Sequence, residues 1–255
     1  MVRSQGKLYL TGAFALAGAS VVTGDLLSVK LSGFTITALS MAIVLLCLFP
    51  FYAVKTLRTI RMLARRDWRM IFFQAVFGIF LFRMFLLFGV KQTSTAETGI
   101  LTGTTPAITA VMAYFILKER LTFSTVAGIG GAVAGIVLLQ GNSFLSLQFS
   151  GKHLLGNALI LFASASESTF NIIARKQKTG GHDNSTTPIH PMVQTLLVSA
   201  VALSLSVVPA LLERPFAVLP SLGLLDWLAL IWYGLVVTAL AFAFSYSGAK
   251  RCDAY

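Results

Sequence analysis

The chain has 255 residues, 56% of them hydrophobic and only 11% charged, and its mean hydropathy is +0.81. A soluble domain carries roughly 25% charged residues, so most of this surface faces something other than water, and lipid is the simplest solvent that fits. The formal charge of +11 does not point to nucleic acid, because the basic residues sit in short loops between apolar runs, and Cys47 and Cys252 give neither a disulfide framework nor a CxxC metal site.

A membrane-crossing helix needs about 20 mostly apolar residues, and eight such runs follow one another. The first (8–29) comes after Arg3 and Lys7 and contains Ala15-Leu16-Ala17, which resembles a leader cleavage site; the repeat described below favours counting it as a span. The second (34–54) leads into a loop with Lys55, Arg58, Arg61, Arg65, Arg66 and Arg69. The third (70–90) holds Arg83 past its middle. The fourth (98–117) carries Thr98, Thr102, Thr105 and Thr109 on one face, with Pro106 and a Gly99-x-x-x-Gly103 motif. The fifth (123–141) has Gly131 and Gly135, a spacing suited to close packing or to a homodimer face. The sixth (154–174) places Ser164, Glu167 and Asn171 on one face, continued by Arg175. The seventh is 191–212, and the eighth (227–247) holds Trp232 and Tyr233 several residues inside. Barrel strands would be runs of about ten alternating residues; these runs are twice as long and apolar all round, so the expected class is an all-α membrane bundle.

Lys and Arg gather in the loops that an N-terminus-inside topology puts in the cytoplasm, leaving Lys30, Lys91, Lys152 and Arg214 outside. That bias predicts a multi-pass inner-membrane protein with both ends cytoplasmic. Asn184-Ser185-Thr186 fits a glycosylation sequon but falls on the cytoplasmic side.

The chain also resembles itself. At one constant offset Trp68 meets Trp227, Gly89 meets Gly248 and Lys91 meets Lys250, and at a slightly smaller offset the first run meets the sixth, with Lys30 opposite Arg175. Two copies are expected, residues 8–141 and 154–255, joined by a linker at 142–153. Five spans in the first copy are an odd number, so the second copy starts from the opposite side, an inverted repeat. Tyr255 aligns with Ala96, so the second copy is expected to lack counterparts of spans four and five.

The segment from Thr95-Ala96-Glu97-Thr98-Gly99 through Thr104-Thr105-Pro106-Ala107, then Leu117-Lys118-Glu119-Arg120-Leu121 and the Gly128…Gly135 run, resembles the end of an EamA domain of the drug/metabolite transporter superfamily. Lys118 stands where that pattern usually has Gly. The resemblance implies ten helices in two inverted halves around a central cavity, of which this chain would hold eight. It also implies a carrier of amino acids, other metabolites or drugs, often outward.

Charges inside a bilayer are costly and default to function. Arg83 and Glu167 are therefore the leading cavity candidates, with an Arg83–Glu167 pair as the alternative use. Ser164, Asn171, Thr102 and Thr105 are candidate polar lining, and Trp232 and Tyr233 candidate aromatic walls. The threonines have a plainer use, bonding to their own helix carbonyls in a close-packed face. Neither a Walker motif nor HExxH, paired aspartates or a Ser-Lys pair occurs. The expectation is a secondary carrier, with no cofactor and no enzymatic step, whose partners are the bilayer, a small solute, and a proton or counter-solute. The competing expectation is a truncated or non-transporting membrane subunit.

Overall fold

The computed structural model describes residues 2–118, 123, 126–131, 134, 151–179 and 189–251, and every regular element among them is helical. Helices α1 (Val2–Ser28) and α2 (Gly33–Met62) are continuous. The Arg65–Val90 rod is α3 (Arg65–Ala75), a π-helical segment (Val76–Leu81) and α4 (Phe82–Val90). The Thr95–Leu117 rod is α5 (Thr95–Thr102), α6 (Thr105–Met112) and a π-helical end (Ala113–Leu117). Then come α7 (Gly151–Thr179), α8 (Pro191–Leu212), a short α9 (Pro215–Val218) and a 3-10 turn (Leu219–Ser221). The last rod is α10 (Leu224–Ile231), a π-helical segment (Trp232–Leu240) and α11 (Ala241–Arg251).

Among the described residues, six helices are long and apolar enough to cross a membrane: Leu8–Ser28, Gly33–Met62, Arg65–Val90, Thr95–Leu117, Pro191–Leu212 and Leu224–Gly248. The expected eight are thus found at six of their places. The fifth run, with Gly135 and much of 123–141, lies outside the described residues, as does most of the 142–153 linker. The sixth is present as the 29-residue α7 but is not among the six, because Ser164, Glu167 and Asn171 interrupt its apolar character. Ser164 and Ser168 are buried, while Leu154, Leu155 and Phe162 are exposed. Its polar face therefore meets protein and its apolar edge is left for lipid, the arrangement an intramembrane polar stripe requires.

Local chemistry explains the helix ends. The Ser94 hydroxyl accepts the Glu97 amide at 3.1 Å, one half of a Ser-x-x-Glu capping box. Asp67 and Asp226, each third in its helix, accept the amides of Ala64 (3.1 Å) and Gly223 (2.8 Å). The fourth run breaks between Thr102 and Thr105, because Pro106 has no N–H to offer the Thr102 carbonyl one turn earlier. It ends at Lys118, whose φ of 56° is left-handed. A side chain there costs about 1 kcal/mol relative to glycine, so Lys118→Gly is expected to raise the Tm of the purified protein in detergent; an unchanged or lowered Tm would contradict that account.

Three apolar clusters hold the rods together. One joins α2, α3 and α8 through Met41, Val44, Ile71, Val193 and Val198. A second joins α1, α2, α4 and α10 through Leu27, Ile36, Leu87 and Leu230. The third joins α1, α4, α5 and α7 through Val21, Leu86, Leu101 and Ile160. Several helix crossings among the described residues are closer than side chains allow. A Cβ on Gly89 would lie 2.5 Å from Ile160 Cδ1 and 3.2 Å from the Gly156 oxygen, and one on Gly248 would lie 2.8 Å from Leu10 Cγ and 3.2 Å from the Gly6 oxygen. Glycine at these crossings lets backbones approach. The α1–α2 turn marks what is called below the distal end of the bundle, and the α2–α3 turn the proximal end.

Candidate functional site

Between α1, the α3–α4 rod, α7 and the last rod lies a cavity of about 40 Å³. That holds a water or two and falls far short of the ~300 Å³ of a small-ligand pocket. Arg83, Glu167 and Asn171 line it, together with Ser20, Thr238 and the rings of Phe82, Phe170 and Phe242.

Arg83 is 3% exposed and is held by two other rods. Its Nη1 donates to the Ser40 hydroxyl on α2, and its Nη2 donates to the Thr238 hydroxyl and, at 3.4 Å, to the Tyr233 carbonyl. The guanidinium carbon lies 4.1 Å from the centroid of the Tyr233 ring, a cation–π contact. Both hydroxyls keep acceptors of their own: Ser40 donates to the Ile36 carbonyl at 2.7 Å, and Thr238 donates to the Tyr233 carbonyl at 2.8 Å, five residues back along the π-helical segment. Wide turns of this kind recur at functional sites. Here one carries Tyr233 and Thr238, and another, Val76–Leu81, immediately precedes α4 and Arg83.

Glu167 enters the cavity from α7 and accepts the Thr105 hydroxyl at 3.2 Å. Among the described residues no ion pair joins Glu167 to Arg83 within 4.0 Å. The expected alternative of a direct Arg83–Glu167 pair is therefore not what the structure shows: the guanidinium and the carboxyl group share a cavity without touching. Two further polar atoms there lack a hydrogen-bond partner, the Ser20 hydroxyl and the Asn171 side-chain nitrogen.

The remaining sequence candidates divide. Thr105 reaches the site through Glu167. Ser164 donates to the Leu101 carbonyl at 3.3 Å and belongs to the seam between the Thr95–Leu117 rod and α7, where the hydroxyls of Thr109 and Ser168 also meet at 3.0 Å. Thr102 bonds back to the carbonyls of Thr98 and Gly99, its plainer use. Tyr233 is fully buried beneath Arg83, whereas its neighbour Trp232 is 47% exposed and points away from the cavity lining. The sequence alone does not single out Ser20, Ser40 or Thr238, because each is a small hydroxyl inside an apolar run, a feature that many packing residues share.

Comparison with known proteins gives the fold a place. A solved crystal structure superimposes with a TM-score of 0.70 at 23% identity, over 98% of this chain and 81% of its own, a likeness of fold. The uncharacterized transporter YetK of Bacillus subtilis (strain 168) is 30% identical over all of this chain and 75% of its own length. The uncharacterized transporter YyaM of the same organism is 27% identical over 70% of this chain and 56% of its own. Residues 4–140, more than half of the chain, match the EamA-like transporter family, so this multi-pass membrane protein, with Arg83 and Glu167 turned inward to one cavity, belongs to the EamA-like transporter family.

Proposed function

We propose that the chain forms the solute path of a secondary carrier, and that its solute brings an anionic group to Arg83 and an ammonium or other donor to Glu167. The observation that carries this is the pair of opposite charges in one buried cavity, each without an ion-pair partner among the described residues. A guanidinium held only by neutral acceptors keeps its full charge for a ligand, and a small zwitterion satisfies both groups without changing the cavity's net charge. Export, driven by exchange with a proton or another solute, is the direction the family resemblance suggests.

Support for two inverted copies, 8–141 and 154–255, comes from crossings that repeat in exchanged form. Gly89 of the first copy packs on Gly156 and Ile160 of the second, and Gly248 of the second packs on Leu10 of the first and on Gly6 just before it, with the same four-residue spacing in each target helix. Such repeats rock about a midplane site.

The test is exchange of radiolabelled solute in liposomes holding the purified protein, competed by zwitterions, monocarboxylates and primary amines of equal size. Zwitterions are expected to compete best. Glu167→Gln, which keeps the size and the bond to Thr105, is expected to weaken zwitterion exchange by about tenfold or more while sparing monocarboxylates. Exchange no faster than in empty liposomes, or a preference for amines, would overturn the reading.

A further inference from the structure

Asp67 and Asp226 hold matching places in the two similar stretches, each one residue before its tryptophan. Each caps its own helix through Oδ2. There the likeness ends. At the distal end, Asp226 also takes Lys30 Nζ at 2.7 Å, tying the α1–α2 turn to α10. At the proximal end, Asp67 is fully buried, and its Oδ1 has no hydrogen-bond partner. A buried carboxylate oxygen left without a protein partner is costly and is open to a donor that the fold can bring to it.

The distal end is tied elsewhere as well. Glu213, in the turn after α8, accepts the Thr35 amide and hydroxyl, both at 2.8 Å, at the start of α2. The Thr93 hydroxyl meets Asn157 Oδ1 at 2.9 Å, joining the α4–α5 turn to α7. Each of these contacts links a residue before 100 to one after 150, so separating the two copies at the distal end must break them.

We infer that Asp226 and Asp67 are the two ends of an alternating latch. The Lys30–Asp226 pair is engaged in this structure and holds the distal end shut. When the distal end opens, Asp67 takes a cation from the last turns of α7, Arg175 or Lys176, and the proximal end shuts. The partner follows from the correspondence of the copies: α1 leads to Lys30 as α7 leads to Arg175, and α3, which carries Asp67, packs on α7. The inference rests on the carrier reading above and extends it from the site to the gates.

Labelling with a membrane-impermeant maleimide tests it without any solute, so its outcome is separable from a failure to find transport. Ser20→Cys places a thiol in the cavity, in a background with Cys47→Ser and Cys252→Ser. Val29→Cys, at a position 81% exposed beside Lys30, reports which vesicles present the distal end. Asparagine keeps a side-chain oxygen for the helix cap, so Asp226→Asn and Asp67→Asn remove charge and leave the cap in place. Asp226→Asn is expected to raise distal labelling of Ser20→Cys about fivefold and to lower proximal labelling. Lys30→Gln should act in the same sense, and Asp67→Asn in the opposite one. If both aspartate variants shift labelling in the same direction, or neither shifts it, the latch is overturned.

Discussion

Arg83→Met is expected to abolish transport while leaving the bundle at least as stable as the parent. The two halves of that expectation come from one geometry. Arg83 is buried, and among the described residues no carboxylate lies within ion-pair distance of it. Its partners are neutral, and the hydroxyls of Ser40 and Thr238 retain acceptors on their own helices when it goes. Replacing a buried, unpaired charge by an apolar side chain of similar length then orphans neither hydroxyl and removes the cost of holding that charge away from water. The guanidinium's use lies in the solute, where loss of a buried charged contact costs about 2–5 kcal/mol of binding, on the order of a hundredfold or more in exchange rate. Arg83→Lys keeps the charge but cannot reach Ser40 and Thr238 together as a planar fork does, and should fall between the two. Thermal unfolding in detergent beside liposome exchange checks both halves. A Tm that drops sharply while exchange persists would make Arg83 a structural residue.

The second large effect is expected at Gly234, one residue after the ring that supports Arg83. A Cβ there would lie 2.6 Å from the backbone oxygen of Ser40 and 3.3 Å from Val44 Cγ2. A backbone carbonyl cannot swing aside as a side-chain tip can, so Gly234→Ala must push the Trp232–Leu240 segment away from α2. Overpacking of this kind costs about 1–3 kcal/mol, and it separates Ser40 from Thr238, the two hydroxyls that share the guanidinium. Gly234→Ala should therefore lower both Tm and exchange, unlike Arg83→Met, which lowers exchange alone. Gly99, where a Cβ would meet nothing within 4 Å, supplies the control: Gly99→Ala should leave both measurements close to the parent.

The large features were legible in the sequence because lipid imposes a severe rule on composition. Runs of about 20 apolar residues can serve few purposes, and six of the expected ones are helices of crossing length. Arg83 and Glu167 were legible for the same reason, as charges where charge is costly. The α7 helix shows where the rule weakens: a helix shielded by neighbours on its polar side can carry Ser164, Glu167 and Asn171 and lose the simple hydropathy signature. What holds Arg83 was not legible. Ser40, Thr238 and Tyr233 come together through two long-range contacts and a wide helical turn, and neither leaves a local pattern. Nothing local in the sequence pairs Lys30 with Asp226, which the fold sets 2.7 Å apart.

A carrier of this kind must admit a solute between Arg83 and Glu167. Equilibrium exchange of a labelled zwitterion, with wild type and Arg83→Met reconstituted side by side, decides it. Saturable exchange by the wild type that falls to the empty-liposome rate in the variant is the predicted result. Equal exchange by the two proteins, saturable or not, would contradict it.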